Sequence, residues 1–299
     1  MTASLVITTR NRVDDLRKAL TSAFAQTARP EVVVVDDAST DGSAEMVARE
    51  FPDARLIRHA EPAGYIVGRN EAARLVSGDV IVSIDDDADF SSPTTIELTL
   101  SEFSSPRVGA IAIPHIDTLS ASVVNAPAPD TAIWCIAQYV GTAHAVRRDV
   151  FLKMNGYRAD MIHQGEEGDF CLRMLAAGYV TRLGRAPFIH HHESPRRSWW
   201  RMEYFGRRND VRQVWHHVPS PSVAARLLLT TAGGIRQAIR TRRPRAHLQG
   251  LAAGWLSVVR GTARREPVSP ATYQLFRRLK ANGPMLLSDF EHELAPLPS

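Results

Sequence analysis

Two apolar runs that end in acids constrain this chain most. Residues 31–37 read Glu-Val-Val-Val-Val-Asp-Asp, and Val80-Ile-Val-Ser-Ile84 leads straight into Asp85-Asp86-Asp87. Short runs of aliphatic residues without polar alternation form strands covered on both faces, the situation of parallel strands between layers of helices. A third run, Ser4-Leu-Val-Ile-Thr8, has the same character. Between these runs Val13, Leu16, Ala19, Leu20, Ala23 and Phe24 recur at helical spacing behind Asn11 as a cap. Asp41 opens a helix over 43–51, and a third helix over 69–76 stops at Ser77-Gly78. The β-α-β-α order predicts an α/β sheet, whose ligands gather at the carboxyl ends of the strands, where the acids stand.

Further on, the proline-bearing stretch 114–132 reads as a long connection near the site, and 133–157 mixes strand and helix character. A helix is expected over 166–178, ended by Gly178, followed by short strands at 179–183 and 187–192. From about 196 the chain becomes helical and basic, with Trp199, Trp200, Tyr204, Phe205 and Trp215 close together. Residues 1–195 carry 18 Lys+Arg against 26 Asp+Glu, whereas 196–280 carry 18 against 3. That asymmetry suits a polyanion, a nucleic acid or an anionic membrane surface; its plainer reading is a solvated helical face. With 44% apolar residues the chain can bury a substantial core. Cys135 and Cys171 are too few and too isolated for a disulfide framework or a zinc site, so two buried reduced thiols are expected. The opening residues lack a basic stretch followed by an apolar one, and no run reaches the ~18 apolar residues of a membrane span. The expected location is cytoplasmic, peripheral at the inner face of the membrane if the segment 224–259 lies on it as an amphipathic helix.

The acids carry the chemistry. Adjacent carboxylates repel unless a cation offsets the charge, and carboxylate oxygens are what Mg²⁺ or Mn²⁺ prefers together with water and phosphate. Asp85, Asp86 and Asp87, with Asp89 two residues on, are therefore a candidate metal site; the same cluster is also what a solvated acidic turn looks like. Thr9-Arg-Asn-Arg12 contains no glycine, so the phosphate-cradling loop of a nucleotidyltransferase or a nicotinamide dehydrogenase is missing.

Four stretches then come in order: Ser4-Leu-Val-Ile-Thr-Thr-Arg-Asn-Arg, Val33-Val-Val-Asp-Asp-Ala-Ser-Thr-Asp-Gly-Ser, Gly68-Arg-Asn-Glu-Ala and Gly78-Asp-Val-Ile-Val-Ser-Ile-Asp-Asp-Asp. Together they resemble the family 2 glycosyltransferases, of GT-A fold. The resemblance continues through Gly141-Thr-Ala-His-Ala-Val-Arg-Arg and Gly165-Glu-Glu-Gly-Asp-Phe-Cys-Leu-Arg, and covers roughly residues 3–210. It implies a Rossmann-like mixed sheet flanked by helices, with a helical C-terminal extension. Residues 1–100 would form the nucleotide-sugar-binding half, 101–198 the acceptor-binding half and 199–299 a basic helical region.

The resemblance also implies residue roles. Thr8, Arg10 and Asp37 would line base and ribose, with Asp37 on the base edge; Arg69 would face the diphosphate or the base. Asp85 and Asp86 would lie against ribose and sugar, and Asp87 would bind Mn²⁺ or Mg²⁺. The family's base falls on Glu167, where Glu stands in place of Asp, so Asp169 and Glu166 remain candidates. Family members often place a metal- or diphosphate-facing histidine where His190-His191-His192 stands; strand alternation puts His190 and His192 on one face and His191 on the other. His191 and His190 are the candidates. Arg207 or Arg208, in Tyr204-Phe-Gly-Arg-Arg-Asn, would come near phosphate. The implied activity is inverting transfer of a sugar from a nucleotide diphosphate-sugar to a glycan, lipid-linked or small-molecule acceptor, by an enzyme that could pair as a homodimer. The alternatives are a basic nucleic-acid- or membrane-binding module and a non-catalytic scaffold of the same fold.

Overall fold

The computed structural model describes residues 1–192 and 198–298. The chain runs β1 (Ala3–Thr9), α1 (Val13–Phe24), β2 (Glu31–Asp36), α2 (Ser43–Glu50), β3 (Arg55–Arg58), α3 (Tyr65–Leu75), β4 (Val80–Ile84), β5 (Ala88–Phe90) and α4 (Thr95–Ser101). Then come β6 (Val108–Ala112), β7 (His115–Asp117), β8 (Ser122–Asn125), β9 (Trp134–Ile136), β10 (Ala143–Arg147), α5 (Arg148–Lys153), α6 (Glu166–Ala176), β11 (Val180–Leu183) and β12 (Ile189–His191). The remainder is α7 (Trp199–His217), α8 (Ser220–Thr241), α9 (Pro244–Val259), α10 (Pro270–Asn282) and β13 (Met285–Leu286).

The main sheet has the order β13-β9-β11-β6-β10-β4-β1-β2-β3. β4, β1, β2 and β3 are parallel, as the apolar runs predict, and β10 joins β4 antiparallel, so the sheet is mixed. In β2, Val32 and Val34 belong to one core cluster and Val33 and Val35 to the other, all essentially solvent-free. Burial on both faces explains the absence of alternation in that run, each valine contributing about 1.5–3 kcal/mol. α1 buries Leu16, Ala19, Leu20 and Ala23 on one face; α3, α5 and α6 close the other with Ile66, Phe151, Phe170 and Met174.

Several local expectations shift. α1 is capped by Asp41, whose Oδ2 accepts from the Val13 N–H, while Oδ1 accepts from the Ser43 N–H at the head of α2. Asn11, at φ 54°, accepts instead from the Thr40 N–H. α3 begins at Tyr65, one turn ahead of the expected start. The stretch 114–132 is not a plain connection, because β7 and β8 form a hairpin there and join β5 and β12 in a second sheet of order β5-β12-β7-β8. The helical region expected from about 196 is described from Ser198 onward. It does not run to the end of the chain: Leu275, Phe276 and Leu279 of α10, together with Leu287 and Phe290, pack into the main core, and β13 extends the main sheet beside β9. Cys135 and Cys171 are buried and unbonded to each other. Among the described residues no helix is long and apolar enough to cross a membrane.

Candidate active site

β4 ends at Ile84, whose register partner on β10 is Ala143, so the acids that follow emerge beside Gly141-Thr142 and next to the end of β1. Asp85 accepts from Thr142 Oγ1 at 2.9 Å and from Arg69 Nη2 at 2.7 Å. Asp86 is buried; it accepts from Thr9 Oγ1 at 2.8 Å and from Arg12 Nη1 at 3.2 Å. Burial, with Asp87 and Asp85 adding to it against Arg12, pushes Asp86 up to about 7. Asp87 also accepts from Arg12 Nη1 and lies 3.4 Å from His191 Nε2. Against the penalty of burial, His191 and Arg12 hold Asp87 well below the usual carboxylate range.

The second sheet delivers the histidine. In β12 His191 pairs with Ala88 of β5 and Asp117 of β7, which aims its ring at Asp87 on one side and at Asp117 Oδ1, 2.7 Å away, on the other. Against burial, the two carboxylates raise His191 to about 9. The alternation of β12 turns His190 and His192 to the opposite face, where both meet Asp89. Ligand atoms of Asp85, Asp87 and His191 lie within 4.8 Å of one another. Two carboxylates and an imidazole are oxygen and nitrogen donors of the kind that Mn²⁺ and Mg²⁺ accept, so the residues present fit a divalent cation. His190 is not in this group.

Opposite stands the head of α6. Gly165, in the left-handed region at φ 91°, precedes the helix; a Cβ there would come 2.7 Å from Gln213 Nε2. Neither carboxylate oxygen of the wholly buried Glu166 has a hydrogen-bond partner among the described residues, and Arg69 Nη1 is 4.0 Å away. Burial, with Glu167 adjacent, drives Glu166 well above its ordinary range. Glu167 reaches the backbone of Gly141, where a Cβ would come 2.5 Å from its Oε1 and 3.1 Å from Arg69 Nη1. Burial, reinforced by Asp85, raises Glu167 too. Arg69, itself 5% exposed, thus lies between the β4 acids and the α6 acids and also donates to the Gly141 carbonyl at 3.2 Å.

Asp169 faces the other way. It is completely buried and accepts from Arg158 Nε at 2.9 Å, Arg173 Nε at 2.8 Å and His217 Nε2 at 2.6 Å. Against burial, the hydrogen bond from His217 and the charges of Arg173 and Arg158 hold it far below the carboxylate range. The structure therefore separates Asp169 from Glu166 and Glu167, placing it where α6 meets α7.

At the same carboxyl edge, just past β2, Asp37 accepts from the Ala63 and Gly64 N–H groups and lies 2.9 Å from His59 Nδ1, whose Nε2 is 2.8 Å from Glu71. Thr8 is half-buried on the face that meets Gly68, and Arg10 is exposed. Arg207 pairs with Asp210, while Arg208 donates to the carbonyls of Asp160 and Met161.

Arg12, Thr9, His59 and Asn209 were not singled out from sequence. Arg12 and Thr9 lie inside the stretch that carries the resemblance, yet only the fold shows that they address Asp86 and Asp87. Asn209, buried at the close of the aromatic Tyr204–Asn209 element, donates to the carbonyls of Met161, His163 and Gln164 and so fixes the loop that leads into α6. Behind the site His144 stacks on Tyr139 and donates from Nδ1 to the Gly141 carbonyl; its Nε2 accepts from Tyr157 OH, which accepts from Tyr139 OH. Burial and Arg69 push this imidazole down to about 3, which keeps it neutral and holds that chain of donors in one direction.

Strand order, the acid-tipped β4 and the opposed glutamates define a GT-A fold. The likeness extends to a mannosyltransferase of Pyrobaculum calidifontis solved with GDP-Man and Mn²⁺ (TM-score 0.57, 20% identity, covering 94% of this chain and 79% of that one). TarS 1–349 of S. aureus is similar as well (TM-score 0.60, 14% identity, 98% and 90% covered). Residues 4–151 match the model of Glycosyl transferase family 2, and the chain belongs to that family. Among curated relatives, the O-antigen biosynthesis protein RfbC of Myxococcus xanthus is 25% identical over 225 residues, 65% of this chain and 18% of that protein. The succinoglycan biosynthesis protein ExoU of Rhizobium meliloti (strain 1021) is 29% identical over 197 residues, 58% of this chain and 57% of that protein. The chain thus spans less than two thirds of the length of either relative.

Proposed function

We propose that this chain is an inverting glycosyltransferase that moves a sugar from a nucleoside-diphosphate sugar onto an acceptor hydroxyl or amine. The observation that carries the reading is the opposition of two acid groups across Arg69: Asp85, Asp87 and His191 on one side, Glu167 on the other. Asp87 and His191, with Asp85, would hold Mn²⁺ or Mg²⁺. A bound divalent ion supplies a Lewis acid for the phosphate oxygens of the departing diphosphate.

Glu167 takes the acceptor proton, the acceptor oxygen or nitrogen forms its bond to the anomeric carbon, and the nucleoside diphosphate leaves with the electron pair of the broken C–O bond. A carboxylate raised by burial is suited to that task, because a base works best when its pKa nears the working pH. Glu166, raised alongside it, holds a proton and so spares Glu167 a second negative charge. Arg69 fixes Asp85 and the Gly141 carbonyl. Thr8, Arg10 and Asp37 would line the nucleotide at the ends of β1 and β2, with Asp37 setting the Ala63–Gly64 turn beside it. Asp86, neutral in part at pH 7, would meet ribose or sugar. On this reading residues 1–100 serve the donor and 101–198 the acceptor, while 199–299 brace the base through Asn209 and Gln213.

Calorimetric titration of UDP, GDP and dTDP with Mn²⁺, with EDTA and with Asp87→Ala tests the reading. One diphosphate is expected to bind and to lose its binding in EDTA and in the variant. Absence of binding for all three would overturn it.

A further inference from the structure

We propose that the C-terminal helices dock this protein on the surface of an anionic lipid bilayer, through the outer face of α8 and the aromatic-cationic pocket at its end. α8 is 22 residues long, about 33 Å at 1.5 Å per residue. It turns Leu227, Gly234 and Ala238 inward against α7 and α9. About 100° round the helix from that packed face, Leu228 is 67% exposed and Ile239 73% exposed, with Ile235 between them at helical spacing. Arg236 and Arg240 flank that stripe, both exposed.

Where α8 ends, Trp199 and Trp200 at the head of α7, each 52% exposed, line a pocket of about 370 Å³ with Arg242, Arg243 and Arg245. The Arg243 guanidinium lies 4.6 Å over the Trp199 ring and donates to Glu203, the one acid in that lining, at 3.1 Å, which leaves Arg242 and Arg245 to face an anion. Between Asp210 and Glu266 the sequence holds ten arginines and no acid.

Charge and shape together select the partner. Pairing this face with itself in a second copy would bring like-charged arginine rows together. A nucleic acid would meet the arginines but offers nothing to a row of leucine and isoleucine. A bilayer takes both: lipid phosphates meet the guanidinium groups, indole rings sit at the headgroup level, and the aliphatic stripe enters the acyl boundary. Trp199 follows His191 by only eight residues in the chain.

Co-sedimentation with vesicles tests the proposal, comparing phosphatidylglycerol-rich with pure phosphatidylcholine vesicles at low and high salt. Binding at least about tenfold stronger to the anionic vesicles, and weakened by salt, is expected. The Leu228→Ser/Ile235→Ser/Ile239→Ser triple variant should lose about tenfold or more in partitioning. Arg236→Glu/Arg240→Glu, which changes only exposed side chains, should do the same and covers the case in which the triple variant folds poorly. Both variants are also titrated with nucleoside diphosphate and Mn²⁺, which separates a failed docking face from a failed donor site. Equal binding to both vesicle types, no vesicle binding, unaltered binding by the charge-reversal variant, or dimers of the wild-type chain that its variants lack would each overturn the proposal.

Discussion

Only two residues separate Glu166 from Asp169, yet the two carboxylates lie in opposite electrostatic worlds. Glu166 is buried with neither oxygen hydrogen-bonded among the described residues, and both it and Glu167 are raised. Asp169 is equally buried but surrounded by Arg158, Arg173 and His217, and is lowered. Both lie in the first turn of α6, where the helix dipole favours negative charge, so the dipole cannot account for the difference. Neighbours do: α6 turns one face to the sheet and the site, the other to α7. An acid left without partners at a site is held in readiness to exchange a proton, whereas an acid saturated with cations fastens one element to another.

If that division is right, Glu167→Gln should lower kcat by about 10²- to 10⁴-fold, the range for losing a general base, with the thermal midpoint unchanged or raised. A full-rate Glu167→Gln enzyme would move the base elsewhere and erase the contrast. Asp169→Ala should reverse the pattern. Removing one partner of a buried ion pair strands the other charges and costs about 3–5 kcal/mol of stability, read as a fall in the denaturation midpoint, with diphosphate binding retained in the folded fraction.

The pH dependence of stability carries the same sign. The lowered pKa of Asp169 contributes stability present above the ordinary Asp value near 3.9, which is lost as pH falls below it toward the folded value. The wild type should therefore lose stability in acid more steeply than Asp169→Asn. Matching acid-denaturation curves would show that the cations around Asp169 do nothing for the fold.

Much of the sheet was legible because two-sided burial writes itself as a run of four valines in β2 and as valine and isoleucine broken only by Ser83 in β4, and the acids at their ends marked the carboxyl edge. The hairpin of β7 and β8 was hidden: its strands are three and four residues long, the pairing that ties it to the rest of the sheet, β7 with β12, is non-local, and prolines flank it. Return of 270–294 to the main core was hidden for the same reason, since β13 is two residues that pair with β9 about 150 positions earlier. At the site, alternation along β12 correctly divided the histidines into two faces but could not tell which face meets Asp87; the register against β5 and β7 decides that. Asp169 was inseparable from Glu167 by sequence, because its partners Arg158 and His217 come from other segments.

Gly141→Ala gives the smallest expected effect and bears most finely on the division. Nothing in its backbone conformation demands glycine, but an added Cβ would fall 2.5 Å from Glu167 Oε1 and 3.1 Å from Arg69 Nη1, while Asp169 lies on the far side of α6. The glutamate must therefore move and Asp169 need not. Displacing a catalytic group by about 1 Å costs up to about 10²-fold in rate, so kcat should fall by about 10- to 100-fold with the midpoint shifted little. The acidic limb of the rate profile should move with it: Glu167 works only when ionised, so the rate rises with pH through a value above the ordinary carboxylate range, and a glutamate pushed toward solvent titrates lower. A Gly141→Ala enzyme that loses stability rather than rate would mean that Glu167, like Asp169, is there to hold the fold.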